Sequence, residues 1–272
     1  MKYLDYFRRL FATALSFAVF GVAGLVMGLV LFPFLFVFIH DDVARQVVAR
    51  RLIGRAFGAF VWMMKCLGVL TYEISGQENI EEGRNHLIVA NHPTLIDVVF
   101  LVSLFPHADC VIKEAVIRNP FMRGTVRAAN YIANDAFEDL LKCCVERVKK
   151  GSSLLLFPEG TRSVPGRPIE FKPGAAAVAV RADACVLPIA IECTPPFLMK
   201  EKPWYYVPPT RPHFSIRIML PVSLYDLVQD FRNQRHARYA MNEALRILIT
   251  SALPRVQAAN EDAPAAVQSR FS

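Results

Sequence analysis

An uncharged stretch of about thirty residues, Leu10–Ile39, constrains this 272-residue chain more than any other feature. As one helix it would be about 45 Å long, against about 30 Å for the hydrocarbon core of a bilayer. It is too long for the apolar core of a signal peptide, and no small-residue cleavage site follows it. A buried helix of a soluble domain is rarely so uniformly apolar. We therefore predict a membrane segment over residues 1–40.

The charges that flank this segment indicate how it sits. They are Lys2, Arg8 and Arg9 before it and Arg45, Arg50, Arg51 and Arg55 after it. The positive-inside rule favours both ends in the cytosol. A re-entrant or two-helix hairpin would satisfy that rule, with a break near Pro33 or among Gly21, Gly24 and Gly28, and a single span is the alternative. The Gly24-x-x-x-Gly28 spacing fits a helix-dimer face or a tight hairpin equally well. We expect the inner (cytoplasmic) membrane, with the rest of the chain facing the cytosol.

Beyond the membrane segment the pattern changes twice. Residues 41–70 carry apolar positions at helical spacing with arginines opposite, which predicts an amphipathic helix in the membrane interface. The alternative is a helix packed on the core of the next domain. From residue 71 to 255, strand and helix patterns alternate, so we predict an α/β fold with a mixed, mostly parallel sheet flanked by helices. Residues 256–272 are Ala- and Gln-rich and are predicted to be disordered.

The elements of this α/β domain can be placed approximately. The predicted strands are Thr71–Ser75, Leu87–Ala90, Cys110–Lys113, Ser153–Phe157, Cys185–Ile191 and Phe214–Leu220. The predicted helices are Thr94–Leu104, Met122–Ala128, Ala136–Lys149, Gly174–Ala182 and Asn233–Ala252.

Composition narrows the partners. Hydrophobic residues make up 54% of the chain, and 31 Lys and Arg outnumber 24 Asp and Glu. Next to a membrane segment, such a basic excess favours an anionic lipid surface. No nucleic-acid reader motif is present, so we expect no nucleic-acid partner. The six cysteines show no C-x-x-C spacing, which is typical of reduced thiols. The histidines lack metal-ligand spacing, and we predict no metal and no bound cofactor.

The first stretch that carries chemistry is Ala90-Asn91-His92-Pro93-Thr94-Leu95-Ile96-Asp97. A strand runs into a turn and then into a helix, with Pro93 suited to the first helical turn. Two helical residues five positions apart face about 140° away from each other. His92 and Asp97 can therefore meet only if His92 folds back from the preceding turn. A carboxylate that holds the imidazole in one tautomer would make His92 a general base for a hydroxyl. The alternative is a turn histidine and a solvated aspartate.

A second stretch, Leu154-Leu155-Leu156-Phe157-Pro158-Glu159-Gly160-Thr161-Arg162-Ser163, repeats the strand-to-turn pattern about sixty residues later. Its turn presents a carboxylate, two hydroxyls and a guanidinium. Because crevices in α/β sheets form at the carboxyl ends of the strands, we expect the two turns to share one edge.

Together, His-x4-Asp and Phe-Pro-Glu-Gly-Thr-Arg resemble the motifs of the glycerolipid acyltransferases, the lysophosphatidic acid acyltransferase-like superfamily. The resemblance covers roughly residues 76–192. It implies an acyl thioester donor, carried by acyl carrier protein or coenzyme A, and a lipid acceptor. The roles it implies are catalysis by His92 and Asp97, with supporting or substrate-binding roles for Asn91, Thr94, Glu159, Gly160, Thr161, Arg162 and Lys172. For Arg162, an internal salt bridge with Glu159 or Asp97 is the alternative.

The chain departs from the family pattern at the second motif. Where the family has Gly-x-x-Phe-Ile-x-Arg, this chain reads Ala128-Ala129-Asn130-Tyr131-Ile132-Ala133-Asn134. A guanidinium contact to phosphate contributes about 1.5–3 kcal/mol, so its loss should weaken the binding of a phosphate-bearing acceptor. Either Arg127 or Lys113 substitutes for the missing arginine, or the acceptor carries no glycerol phosphate.

Three functions therefore stay open. The first is a membrane-bound acyltransferase acting on a lysophospholipid such as 1-acyl-glycerol-3-phosphate. The second applies the same chemistry to a lyso-aminolipid or a hydroxylated lipid or polyene head group. The third is a catalytically silent membrane lipid-binding protein. A serine hydrolase is disfavoured, because no Gly-x-Ser-x-Gly elbow is present.

Overall fold

The computed structural model describes residues 2–81, 84–133, 137–227 and 233–253. The sheet has seven strands in the order β1-β7-β6-β2-β5-β3-β4. Their bounds are β1 Thr71–Ser75, β2 Leu87–Ala90, β3 Asp109–Ile112, β4 Ile132–Ala133, β5 Leu154–Leu156, β6 Val186–Thr194 and β7 His213–Ile218. Strands β6 and β7 pair antiparallel, and all other pairs are parallel. The predicted mixed, mostly parallel sheet is confirmed.

Ten helices accompany the sheet in the described part of the chain. They are α1 Lys2–Val26, α2 Phe32–Phe38, α3 Asp42–Cys66, α4 Asp97–Leu104, α5 Glu114–Arg118, α6 Pro120–Ala129, α7 Phe137–Lys149, α8 Gly174–Ala182, α9 Leu224–Leu227 and α10 Gln234–Ser251. The prediction missed the short elements β4, α5 and α9, whose two to five residues are too few to show a period.

Two apolar layers cover the sheet. Side chains alternate along β2, so that Ile88 and Ala90 join the layer under α3 and α4, while Leu87 and Val89 join the layer under α7, α8 and α10. All four residues of β2 are buried. A strand covered on both faces must be apolar throughout, which is why Leu87–Ala90 reads as an unbroken apolar run.

The N-terminal segment does not turn back where the hairpin alternative placed the break. Helix continues from α1 through a π-helical segment, Met27–Leu31, into α2. Pro33, which has no N–H to donate, lies just after this irregular segment. The chain reverses only after Ile39. There Asp41 caps α3 by accepting from the N–H of Ala44.

Helix α3 then returns antiparallel to α1. Phe20 contacts Phe57 and Phe60, with ring centroids 5.7 and 4.8 Å apart. The same helix buries Ile53 and Met64 against the catalytic domain, as the core-packed alternative expected. Trp62 on its other side is 63% exposed, so an additional interfacial role for residues 41–70 stays a prediction.

The glycines of α1 have a partner within the chain. A Cβ on Gly24 would lie 2.5 Å from the carbonyl oxygen of Phe121, and one on Gly124 would lie 2.4 Å from Cα of Gly28. Helix α6 therefore packs backbone to backbone on the Gly24-x-x-x-Gly28 stripe. This contact occupies the surface that the dimer-face and tight-hairpin interpretations required.

Two other predictions meet the structure differently. Arg9 was counted among the flanking charges, but it is buried and donates to the carbonyl oxygens of Pro208, Pro209 and Thr210. It holds the loop before β7 and cannot face a lipid headgroup. The predicted tail, residues 256–272, lies outside the described residues.

Candidate active site

The turn after β2 brings His92 and Asp97 together. Helix α4 begins at Asp97, three residues later than predicted, and Pro93 lies in the turn before it. Residues 94–96 form a tight turn because Asp97 accepts from both the N–H and the Oγ1 of Thr94, at 2.6 and 2.5 Å. This turn points the His92 ring back over Asp97, as the five-residue spacing requires.

The imidazole is held from two directions. His92 Nδ1 lies 2.8 Å from Asp97 Oδ2, and the ring stacks on Phe157 with centroids 4.2 Å apart. Asp97 is fully buried, and its carboxylate can only accept, so Nδ1 carries the proton and Nε2 keeps a lone pair. His92 remains 19% exposed at its side chain. A base oriented in this way can take a proton from a hydroxyl that approaches this edge of the sheet.

The turn after β5 is joined to the turn after β2. Strands β2 and β5 are parallel neighbours, so both turns leave the same edge of the sheet. The backbone N–H of His92 donates to Glu159 Oε1 at 2.8 Å, and the N–H of Ser163 donates to the His92 carbonyl at 2.7 Å. Ser163 Oγ also donates to Glu159 Oε1 at 2.9 Å. The turn after β5 therefore holds the turn that carries His92 in place.

Glu159 is a buried carboxylate, 7% exposed. Burial raises its pKa above the usual value, while the hydrogen bonds from His92 and Ser163 act in the opposite direction. Its accepting bonds go to the protein, so Glu159 positions the site. The sequence analysis did not identify Ser163 as a partner of Glu159. The signal was a hydroxyl-bearing residue four positions after the glutamate in the same turn.

Arg162 is the half-buried cation of the site. Its Nη1 donates to the carbonyl oxygen of Leu198 at 3.0 Å, an oxygen that also accepts from the N–H of Leu95. Burial lowers the pKa of Arg162, and the negative charge of Asp97 opposes that shift. Among the described residues Arg162 makes no ion pair with Glu159 or Asp97, so the internal salt-bridge alternative is wrong. The other guanidinium nitrogens are left for an anion.

Gly160 and Lys172 form the second basic position. Gly160 has φ +66°, and a Cβ there would lie 3.2 Å from Lys172 Nζ, so a glycine is required. The N–H of Lys172 donates to the Pro158 carbonyl at 2.8 Å, which holds the exposed lysine against the turn. Thr161 is half-buried between Gly160 and Arg162.

Asn91 and Thr94 do not face the crevice as the substrate-binding prediction expected. Both are 1% exposed. The Asn91 amide exchanges two hydrogen bonds with the backbone of Ile191, at 2.8 and 2.7 Å, which extends the pairing of β2 with β6 by one side chain. Thr94 is bound to Asp97. Both residues position His92 and Asp97, and neither is placed to touch a substrate.

The structure describes residues 128–133 of the second motif and Arg127 before it. Arg127 is exposed on α6, near its C-terminal end. Asn134 lies outside the described residues. Lys113 is exposed directly after β3, which is parallel to β5, so it lies at the edge of the sheet that carries both turns.

Several backbone N–H groups at this edge of the sheet already donate hydrogen bonds within the protein. The N–H groups of Thr94, Leu95 and Gly160 donate to Asp97, Leu198 and Phe157. The first two N–H groups after Pro93 are therefore not free to bind a substrate oxygen. The guanidinium of Arg162 and the ammonium of Lys172 are side-chain donors at this edge.

Comparison with known proteins identifies the region that contains this site. Residues 71–192 match the family model described as Acyltransferase. This part of the chain is therefore similar to acyltransferases. The matched region runs from β1 into β6 and includes both turns, and the resemblance drawn from the two motifs is confirmed.

Relatives and a solved structure agree with this assignment. A 1-acyl-sn-glycerol-3-phosphate acyltransferase from Pseudomonas aeruginosa is 34% identical over 136 residues, which is 48% of this chain and 52% of that protein. The chloroplastic LPAT1 acyltransferase of Arabidopsis thaliana, with the same activity in its name, is 32% identical over 124 residues, 43% of this chain and 35% of that protein. The chain thus spans about half or less of the length of these two relatives.

The similarity of folds extends further along the chain. The structure of the 1-acyl-sn-glycerophosphate acyltransferase PlsC from Thermotoga maritima matches 92% of this chain and 97% of its own, with a TM-score of 0.69 at 21% identity. The region similar to acyltransferases and the helices that precede it therefore share the fold of that enzyme.

Proposed function

We propose that this protein is a membrane-bound acyltransferase. It would transfer a fatty acyl group from an acyl thioester to the hydroxyl of a lysophospholipid such as 1-acyl-glycerol-3-phosphate. The observation that carries the proposal is the hydrogen bond between His92 and buried Asp97 at the strand edge of a domain that is similar to acyltransferases. It leaves Nε2 of His92 as a base in a crevice that also holds two cations.

The proposed reaction uses His92 twice. His92 Nε2 takes the proton of the acceptor hydroxyl as that oxygen attacks the thioester carbonyl carbon. Asp97 stabilises the imidazolium that forms. When the tetrahedral intermediate collapses, the carbon–sulfur bond breaks and the departing thiolate receives the proton from His92. The products are an ester and a free thiol, from acyl carrier protein or coenzyme A.

Arg162 and Lys172 are the proposed anion ligands of the acceptor. A guanidinium grips a phosphate through two parallel hydrogen bonds, and the contact of Nη1 with Leu198 fixes the plane of the fork. Lys172 adds a point charge beside Gly160. The same donors can stabilise the negative charge that develops on the thioester oxygen.

Attachment to the membrane is supported by α1 and α2. Residues Tyr3–Phe38 form the one helix in the described part of the chain that is long and apolar enough to cross a membrane, and 11% of its most apolar stretch is buried. An exposed apolar stripe runs along it at helical spacing through Leu4, Phe7, Phe11, Leu15, Val22, Val26 and Leu29. The opposite side packs on α3 and α6. We propose that this stripe, hereafter the apolar stripe, embeds in the cytosolic leaflet of the inner membrane.

An apolar cavity of about 300 Å³ supports a lipid substrate. It lies between α1, α3 and α6 and is lined mainly by side chains such as Phe20, Met27, Phe57 and Met63. A cavity of this composition suits an acyl chain and excludes a charged ligand.

The test is an acyl-transfer assay on membranes with lysophosphatidic acid and either thioester, with the product followed by mass. His92→Ala should lose about a thousandfold in rate, the scale of a general base, while it still sediments with membranes. His213→Ala, a histidine outside the family match, is the control and should retain activity. Equal rates for wild type and His92→Ala would contradict the proposal.

Asn134 provides the test of the acceptor. If the acceptor carries a glycerol phosphate, Asn134→Arg should preserve or lower the KM for lysophosphatidic acid. If wild type consumes thioester only with a lyso-aminolipid or a hydroxylated head group, the second candidate function applies, and Asn134→Arg should then bring no gain with that acceptor.

A further inference from the structure

A second basic cluster lies far from the crevice, between α8 and α10. Arg181, Arg235 and Arg238 line a cavity of about 260 Å³, together with Ala177 and Val180. None of the described residues that line it is acidic. We refer to it as the arginine pocket.

The topology places the arginine pocket at the opposite edge of the sheet from His92. Arg181 lies in the last turn of α8, which leads within a few residues into the start of β6. The first residue of β6, Val186, pairs with Leu87 at the beginning of β2, whereas His92 follows the end of β2. Asn242 donates to the carbonyl of Phe171 just before α8, so α10 runs antiparallel to α8 and brings its N-terminal turns to Arg181.

The three guanidinium groups have no acidic partner in the part of the protein that the structure describes. Among the described residues, none of them makes an ion pair or a side-chain hydrogen bond, although Arg238 is half-buried. Arg235 and Arg238 also lie in the first two turns of α10. The positive end of a helix dipole disfavours cations there and favours anions. Three unpaired cations on one cavity, two of them against a helix dipole, repel one another unless an anion joins them.

We propose that the arginine pocket binds a small ligand that carries a phosphoryl group, separately from the proposed acyl-transfer site. Guanidinium forks match phosphate oxygens bidentately, and three of them can surround one phosphate or diphosphate. The volume of about 260 Å³ is slightly below the usual range for ligand pockets, about 300–1,000 Å³, so the pocket suits a small phosphate-bearing head. A free phosphorylated metabolite and the head of an anionic phospholipid share this chemistry.

The experiment is calorimetric titration of the detergent-solubilised full chain with inorganic pyrophosphate. Wild type should bind it, and more weakly as salt rises, because the contacts are ionic. Arg238→Gln should weaken binding about tenfold or more, and the triple variant with Gln at 181, 235 and 238 should abolish it. Arg167→Gln removes the same charge from an exposed arginine elsewhere and should bind like wild type.

A vesicle arm separates the two sources of the phosphate. If the ligand is a lipid head, wild type should prefer phosphatidic acid vesicles to phosphatidylcholine vesicles, and the triple variant should lose that preference while pyrophosphate gives little heat. The thermal midpoints of the variants without ligand report on folding, and the single variant keeps the test valid if the triple one is unstable. No pyrophosphate binding and no vesicle preference in wild type, or equal binding by the triple variant, would overturn the proposal.

Discussion

The backbone N–H of His92 donates to the buried carboxylate of Glu159 at 2.8 Å, and the carbonyl of His92 accepts from Ser163 at 2.7 Å. The residue proposed as the base is thus held on both sides of its peptide backbone by a turn that lies on another strand. A residue 67 positions away in the sequence decides where the imidazole stands.

This relationship predicts different outcomes for two substitutions of Glu159. Glu159→Gln keeps an accepting oxygen for His92 and Ser163, so activity should stay within about tenfold of wild type. Glu159→Ala leaves a backbone donor unpaired, at a cost of about 1–3 kcal/mol, and should lose much more activity. The measurement is kcat/KM with the thermal midpoint of each variant. Equal losses for both would mean that the charge of Glu159 acts directly on the substrate.

The raised pKa of Glu159 adds a pH dependence. Because burial disfavours its ionised form, the folded state loses stability as pH rises from the usual glutamate value through the higher folded pKa. Glu159→Gln escapes this loss. Its advantage in unfolding free energy should therefore be present at pH 8 and vanish below about pH 4.5, measured by denaturant unfolding at both pH values.

Removing the carboxylate that orients His92 should be nearly as damaging as removing His92. Asp97→Asn permits the wrong imidazole tautomer, so it should lose most of the roughly thousandfold rate contribution of the base. Thr94→Val removes only the Oγ1 bond to Asp97 and should cost about tenfold. In the double variant His92→Ala/Asp97→Asn the losses should not add, because both act through one proton transfer. Additive losses in kcat/KM would show that Asp97 has an independent role.

His86 should make the fold sensitive to acid. It is 4% exposed, both ring nitrogens lack partners among the described residues, and burial lowers its pKa. The charged form is therefore penalised in the folded state, so stability is lost as pH falls below the ordinary histidine value of about 6.5. His86→Leu should match or exceed wild type in thermal midpoint, with a margin that grows from pH 8 to pH 5. His40→Gln, at an exposed histidine, should show no such trend.

Charges placed on the apolar stripe should release the protein from membranes. Phe7 and Phe11 are 62% and 70% exposed, so Phe7→Glu/Phe11→Glu should fold normally but sediment far less with vesicles. The matched control is Tyr239→Glu/Ile247→Glu, at exposed apolar positions on α10. Helix α10 covers the other face of the sheet. If the two double variants partition alike, the apolar stripe does not attach the protein.

What the sequence could predict was local. The strands that end in the two motif turns follow from short apolar runs broken by Pro and Gly, and their shared edge follows from the rule for parallel strands. Helical geometry showed how His92 and Asp97 could meet, since a five-residue spacing excludes two helical positions, but it left a solvated aspartate as the alternative. The uncharged stretch Leu10–Ile39 likewise predicts a long apolar helix. Each of these depends on neighbours in the chain, which a sequence displays directly.

Only the tertiary structure decided which surfaces meet. In the sequence, Asn91 and Thr94 are polar residues of a turn. In the structure they are buried, because Asn91 pairs with the backbone of Ile191 and Thr94 donates to Asp97. Gly24 and Gly28 present a small-residue stripe that could accept any close helix, and the fold supplied α6. Arg181 lies on α8 and Arg238 on α10, and neither helix alone indicates a binding site. The two arginines line one cavity only because the helices pack together. Such contacts depend on complementary shape and charge between distant segments, which neither segment carries by itself.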